Sequence, residues 1–378
     1  MKRLTATLCL ALAVLLGSAG MSWSADYGKG YIAAQSGDFA TALREWRPLA
    51  KQGNAYAQFN LGGMYDSGRG VPQDYKTAAK WYRLAAEQGD ANAQNNLGGM
   101  YRIGQSVPQN EKTAVEWFRL SAEQGLADAQ NNLGVMYTDG QGVSQDYETA
   151  VKWFRLAAEQ GFASAQNSLG TMNFKGRGVK QDFKTAFKWW KLSAEQGLPD
   201  AQTSLGVMYA TGNVVSQDDK TAVKWWKLAA EQGYAISQKN LGWMYENGRG
   251  VSQDYGTAVK WYKLSAKQGD AGAQHNLGRM YENGLGVSKN YKTAVEWYKL
   301  VAEQGHAPAQ DKIEELQQNF LNRYPHPQSL PRNPLHPGQR EITGRVRLLT
   351  GTKTTQPLCV NGNLLLIRGM PMPCSIWV

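Results

Sequence analysis

A Leu-Gly pair recurs at Leu61-Gly62, Leu97-Gly98, Leu133-Gly134, Leu169-Gly170, Leu205-Gly206, Leu241-Gly242 and Leu277-Gly278, each 36 residues after the last, with no insertion. A period of that length, kept without slippage, marks stacked supersecondary units that bury their apolar faces only against their neighbours. The chain is therefore read as an array, and one copy stands for the rest.

Each copy encodes two helices. Ala129, Leu133 and Met136–Tyr137 share one face at i, i+4, i+7 and i+8, which predicts a first helix over roughly 129–137. Gly140 ends it by taking positive φ. Ala150, Trp153–Phe154, Ala157 and Ala158 repeat the spacing and predict a second helix over roughly 147–160. Asp146 is placed to cap its N terminus, and Gly161 ends it. Gly134 lies inside the first helix, where glycine costs about 1 kcal/mol against alanine. The expected reason is a helix crossing too close for a Cβ. Trp81, Trp117, Trp153, Trp189, Trp225, Trp261 and Trp297 are expected to fill the space between hairpins rather than to line a ligand box, because aromatics dominate core burial.

The motifs Ala-x-Ala-Gln-x-x-Leu-Gly-x-Met-Tyr, Gly-x-Gly-Val and Ala-x-Lys-Trp-Tyr-x-Leu-Ala-Ala-Glu-Gln-Gly resemble the Sel1-like repeat, a relative of the tetratricopeptide repeat with a longer loop, over about residues 26–320. The resemblance implies an all-α, right-handed α/α superhelical solenoid of helix-turn-helix units. Departures are local: Ser106 and Val214 replace the second loop glycine, Asn173 the helix tyrosine, and Asn110 and Asn290 the capping aspartate. Residues 26–52 are expected to form a degenerate opening hairpin, 53–306 the seven repeats, and 307–321 a capping helix with the polar outer face that solenoid ends require. Some Sel1-like proteins with a cysteine pair in each repeat have been associated with β-lactam or peptidoglycan binding. The repeats here hold no cysteine, so that association is not carried over.

The termini differ from the array. Lys2 and Arg3 precede an uncharged apolar run from Leu4 to Ala19, and Ser22, Ser24 and Ala25 follow, the layout of a secretory signal peptide over residues 1–25. The run is shorter than the ~20 residues of a membrane span. Export to the periplasm or beyond is expected, with membrane contact only through an uncleaved signal. Residues 322–378 hold eight of the 13 prolines, seven basic residues and one acidic one. They are expected to be a disordered basic arm; a small module closed by Cys359 and Cys374, or a non-native stretch after a frame slip, are the other readings. Most of the formal charge of +10 lies in this tail and the signal. The array is nearly neutral and offers nucleic acid no concentrated basic face.

Repeat arrays bind partners on an extended concave face, and by analogy with tetratricopeptide-like stacks the first helices line it. Asn60, Asn96, Asn132, Ser168, Ser204, Asn240 and Asn276 form a polar ladder just before each Leu. Amides both donate and accept, so the ladder suits an extended peptide, or else neighbouring repeats and water. Trp243 and Arg279 break a run of smaller residues two positions after the Leu and are interface-type anchors; Phe59, Lys239 and His275 vary similarly. The candidate partner-binding set is Asn96, Asn132, Asn240, Trp243, His275, Asn276 and Arg279. On the second helix, Arg83, Arg119, Arg155, Lys191, Lys227, Lys263 and Lys299 form a row that suits an acidic polymer or anionic lipid. Glutamates such as Glu87, Glu159 and Glu195 follow four residues later and are expected to pair with it, leaving a solvated convex face.

Catalysis has little support. With 4 His and 3 Cys the chain is poorly stocked for metal or nucleophile chemistry, and no cofactor is implied. The expected function is a non-catalytic scaffold or adaptor of the bacterial envelope with a protein or peptide partner. The alternative is a binder of peptidoglycan or another cell-wall fragment, with hydrolysis requiring a carboxylate cluster among Asp66, Asp139, Glu246 and Glu282.

Overall fold

The computed structural model describes residues 25–305 and 307–323; the signal segment up to residue 24 and the tail from 324 lie outside them. The described residues form 17 helices and no strand. Helices α1 (Tyr27–Gln35) and α2 (Phe39–Lys51) make an opening hairpin. Seven hairpins follow: α3 (Ala55–Ser67) with α4 (Tyr75–Glu87), α5 (Ala91–Ile103) with α6 (Glu111–Glu123), α7 (Ala127–Asp139) with α8 (Tyr147–Glu159), α9 (Ala163–Lys175) with α10 (Phe183–Glu195), α11 (Pro199–Thr211) with α12 (Asp219–Glu231), α13 (Ala235–Asn247) with α14 (Tyr255–Lys267), and α15 (Ala271–Asn283) with α16 (Tyr291–Glu303). Helix α17 (Ala307–Arg323) closes an all-α solenoid.

Local chemistry sets each boundary. The Asp146 carboxylate accepts from the Glu148 and Thr149 amides at 3.0 Å each, satisfying donors that the first turn of α8 leaves open. Gly140 sits at φ +69° and closes α7, a conformation that costs an L side chain roughly 1–2 kcal/mol. Of the two loop-glycine departures, Ser106 accepts that cost at φ +57°, whereas Val214 stays out of the left-handed region.

The close crossing expected at Gly134 is present. A Cβ there would lie 2.6 and 2.7 Å from the Phe154 ring carbons. The ring on the glycine belongs to the residue after the recurrent Trp. Phe154 is 2% exposed, whereas Trp153 is half-buried and packs against the Ala114–Met136 cluster between α6 and α7. The reason is the helical period: residue 154 lies i+4 from buried Ala150, on the face toward its own hairpin. Residue 153 is turned about 100° away, toward the preceding repeat.

Two glutamines per repeat couple the units. Gln130 is 4% exposed and donates to the Ala122 carbonyl at 3.2 Å; Gln160 donates to the Gln130 carbonyl oxygen at 2.8 Å. The same arrangement joins Gln94 to Ala86 and Gln124, and Gln238 to Ala230 and Gln268. The buried glutamine after Ala-x-Ala and the exposed one in Glu-Gln-Gly thus form an inter-repeat clamp, and the buried amide has a partner at both its nitrogen and its oxygen.

Candidate partner-binding face

Hydrogen bonds and ion pairs join the first helices of successive repeats directly. Asn132 Nδ2 donates to Asn95 Oδ1 at 2.9 Å, the Thr203 and Ser237 hydroxyls are 2.6 Å apart, and Arg279 pairs with Glu246. The first helices thus form one continuous side of the stack, the side expected to face inward.

The candidate residues fall into two groups on this side. Asn96 and Asn132 lie in a central amide row. Asn96 bonds to the hydroxyl of Tyr82, and Asn132 to Asn95. In the same row the buried Asn131 Oδ1 has no hydrogen-bond partner. The other five sit in the last two repeats. Asn240 is half-buried in α13, one turn before Trp243. Trp243 is 39% exposed. The Arg249 guanidinium stands 5.3 Å from its ring centroid and is fixed by Asp219 through bonds of 2.9 and 2.8 Å. Beside Trp243, at the same position of the preceding repeat, Val207 is 38% exposed; Ile236, seven residues before Trp243, is exposed on the same helix face. His275 is exposed, with its ring 5.4 Å from that of Tyr298.

Asn276 and Arg279 belong to a polar network that sequence reasoning missed. Tyr262 lies over Gly242, and its hydroxyl donates to Glu246 at 2.7 Å. Arg279 pairs with the same carboxylate, and Asn276 reaches the same hydroxyl. Tyr298 repeats the motif: it donates to Glu282 at 2.8 Å, and Glu282 also pairs with Lys312 at 2.9 Å. Burial first, and the adjacent carboxylate second, push both phenols up, so they remain neutral donors. A signal was available in the sequence. Where the aromatic over the glycine is tyrosine (Tyr82, Tyr262, Tyr298), the residue sixteen positions earlier is acidic (Asp66, Glu246, Glu282). Where it is Phe118, Phe154, Trp190 or Trp226, that residue is Arg102, Thr138, Phe174 or Ala210. The two indoles donate instead to backbone carbonyls, Trp190 to Asn167 at 3.2 Å and Trp226 to Thr203 at 3.1 Å.

The carboxylates required for hydrolysis are not gathered at one point. Glu246 and Glu282 are each held by a tyrosine and a cation, and Asp66 and Asp139 lie in other repeats, with burial pushing the pKa of both upward. No group of metal-binding side chains occurs among the described residues. What the face offers is hydrogen bonding along the amide row and an apolar anchor flanked by paired cations at its far end.

The family model described as Sel1 repeat matches residues 55–90, 91–126, 127–162, 163–198, 199–234, 235–270 and 271–306. A protective antigen present in uropathogenic Escherichia coli strains, whose crystal structure displays an SLR fold, is 41% identical over 72% of this chain, with a TM-score of 0.66; the chain spans 59% of the antigen's length. A Sel1 repeat protein from Oxalobacter formigenes is 34% identical, covering 81% of this chain and 93% of that one, with a TM-score of 0.60. No curated protein matches the chain.

Proposed function

Because the chain belongs to the Sel1 repeat family, we propose that it is a non-catalytic scaffold that captures an extended segment of a partner protein on its inner face. The observation that carries this reading is Trp243. Most aromatics of the repeats are buried or half-buried, whereas this tryptophan is 39% exposed beside Val207, on a face where the first two repeats have Gly63 and Gly99. An exposed tryptophan among ordered side chains is the residue type that dominates binding energy at interfaces. Arg249 and Asp219 hold its surroundings in place before a partner arrives, which lowers the entropic cost of docking. The amide row runs from this anchor toward the N-terminal repeats and suits the alternating donors and acceptors of a peptide backbone. The apolar N-terminal run behind Lys2 and Arg3 supports an exported, envelope-associated adaptor.

The test is recovery of partners from envelope extract by the full chain and by a Trp243→Ala version, followed by titration of the recovered protein. Loss of a central anchor costs about 2 kcal/mol or more, roughly thirtyfold in affinity. A partner bound equally by both versions would remove Trp243 from the site. Recovery of wall fragments and no protein would favour the glycan reading.

A further inference from the structure

The second-helix side carries a feature that the scaffold reading does not use. In every repeat a leucine four residues after the Lys80-type position is exposed, from Leu84 to Leu300, at 40–47%. Cations flank this row. All seven residues of the row from Arg83 to Lys299 are Lys or Arg. Five of seven are lysine at the Lys80-type position, and five of seven at the Lys76-type position one turn earlier.

The glutamates four residues beyond were expected to neutralise this stripe. They do so in two repeats: Lys191 stands 3.9 Å from Glu195 and Lys227 3.8 Å from Glu231, with both partners about half exposed. At three other positions aromatic groups hold the cation. Arg83 donates to the Tyr101 hydroxyl at 2.5 Å, Arg119 to that of Tyr137 at 3.0 Å, and Lys263 lies 5.4 Å from the Tyr281 ring centroid. A ring fixes a cation without cancelling its charge, so these three cations keep theirs, while the capping aspartates act electrostatically on lysines such as Lys80, Lys152 and Lys260.

The stripe is densest on α10 and α12. Lys184, Lys188, Lys191, Lys220, Lys224 and Lys227 surround Leu192 and Leu228, exposed at 45% and 47%, and Phe183 is exposed at 40% at the start of α10. Lys184, Lys188, Lys220 and Lys224 form no ion pair among the described residues. The nearby Asp219 is taken up by Arg249; Asp182 and Asp218 accept the first amides of α10 and α12 and offset part of the charge of Lys184 and Lys224, so the six lysines remain in excess over them.

We infer that this face docks on an anionic phospholipid bilayer. A purely acidic polymer would satisfy the lysines but would leave the leucines and Phe183 in water. A lipid interface takes both, with apolar side chains entering the headgroup boundary and long cationic side chains reaching phosphates. Docked by its outer side, the solenoid keeps its inner face open to a partner. The inference does not depend on that partner.

The test is partition of the full chain onto vesicles of phosphatidylcholine with about 30% phosphatidylglycerol, compared with phosphatidylcholine alone. The signal segment and basic tail are common to every version, so ratios between versions read the stripe. Preferential binding to the anionic vesicles is expected. Lys188→Gln, Lys191→Gln, Lys224→Gln and Lys227→Gln together should lower partition by about tenfold or more, and Leu192→Ser with Leu228→Ser by about threefold, at unchanged helical circular dichroism. Wild-type partition in the lysine variant overturns the inference. So does a lysine effect without a leucine effect when soluble polyglutamate binds as tightly as vesicles, which identifies an acidic polymer site.

Discussion

Adjacent glycines in one helix should respond oppositely to the same substitution. Gly98 and Gly99 both lie in α5, where alanine is intrinsically favoured over glycine by about 1 kcal/mol. At Gly99 an added Cβ meets nothing within 4 Å, so Gly99→Ala should gain that full amount. At Gly98 the Cβ would lie 2.9 and 3.0 Å from Phe118 ring carbons and 3.2 Å from the Ala114 carbonyl oxygen. Carbon pairs prefer about 3.5–4.0 Å. The ring must therefore retreat by about 0.5–1 Å within a packed core, where such overpacking costs about 1–3 kcal/mol. Phe118 is 1% exposed and has no free volume to enter, which places the cost in the upper part of that range. Subtracting the propensity gain leaves Gly98→Ala destabilised by about 1–2 kcal/mol. Urea unfolding followed by circular dichroism, on Gly98→Ala, Gly99→Ala, Phe118→Leu and Gly98→Ala with Phe118→Leu, reads these quantities. The smaller leucine should relieve the overlap, so the double variant should be more stable than the summed single effects by at least about 0.5 kcal/mol. If Gly98→Ala stabilises as much as Gly99→Ala, the Leu-Gly motif is not explained by helix proximity.

Three further outcomes follow from local geometry. Ser106→Gly should raise stability by about 0.5–1 kcal/mol, measured by the same unfolding, because φ +57° strains serine and the glycine gives back part of the gain as unfolded-state entropy. Gln130→Ala should cost about 1–3 kcal/mol, since it removes two hydrogen bonds worth about 0.5–1.5 kcal/mol each, the Ala122 carbonyl keeping the Gly125 amide and Gln160 the Gly125 carbonyl; hydrogen exchange should locate the loss at the junction of α6, α7 and α8. Hydrogen bonds from Thr149 and Thr221 hydroxyls, and the amides beside them, hold the Asp146 and Asp218 pKa values below the ordinary 3.8. Folding therefore favours their ionised forms, and that contribution is complete above the unfolded value and lost as the pH falls through the folded ones. Asn110 already caps α6 by accepting from the Thr113 amide at 3.1 Å. Asp146→Asn and Asp218→Asn should therefore keep the helices while making the fall in urea midpoint below about pH 4 shallower; an unchanged acid limb would show that other groups control it.

The parts of the fold that were legible in the sequence are those decided inside one hairpin. Helix ends at Gly140 and Asp146 follow from chemistry within a few residues of the boundary, and the tight contact at Gly134 follows from a glycine repeated where alanine would be favoured. Trp153 fills the space toward the preceding repeat as its period implies, but that the ring on the glycine is Phe154, about 100° away on the helix wheel, was not legible, since both positions are aromatic and only burial separates them. The glutamine clamp joins residues 30 positions apart, and polar residues are ordinarily assigned to the surface; its burial became visible only with its partners. The glutamate pairing of the basic row forms at Lys191 and Lys227 but not at Arg83 and Arg119, for a tertiary reason. The spacing allows it, but Tyr101 and Tyr137 from the following first helices offer Arg83 and Arg119 a ring and a hydroxyl that hold them first.

The tyrosine–carboxylate correlation shows how function can be written into a repeat without disturbing its fold. The glycine surface accepts Tyr, Phe or Trp because each presents a flat ring, so the position is free to differ in what lies beyond the ring. A hydroxyl there reaches the inner face buried, and a buried hydroxyl without a partner would cost about 1–3 kcal/mol. Acidic residues accordingly accompany Tyr82, Tyr262 and Tyr298, while the indoles of Trp190 and Trp226 find backbone carbonyls and Phe118 and Phe154 need none. Each carboxylate brought in by a tyrosine attracts further polar groups, Arg279 to Glu246 and Lys312 to Glu282. The inner face is thereby ionic in its last two repeats and largely uncharged through its centre. A partner that recognised only the repeated backbone could slide by one 36-residue step; on the proposed binding face, a polar end beside Trp243 would give it a single register. Asymmetry of this kind needs only two side chains per repeat to change, sixteen residues apart, and it leaves the Leu-Gly core and the glutamine clamp intact.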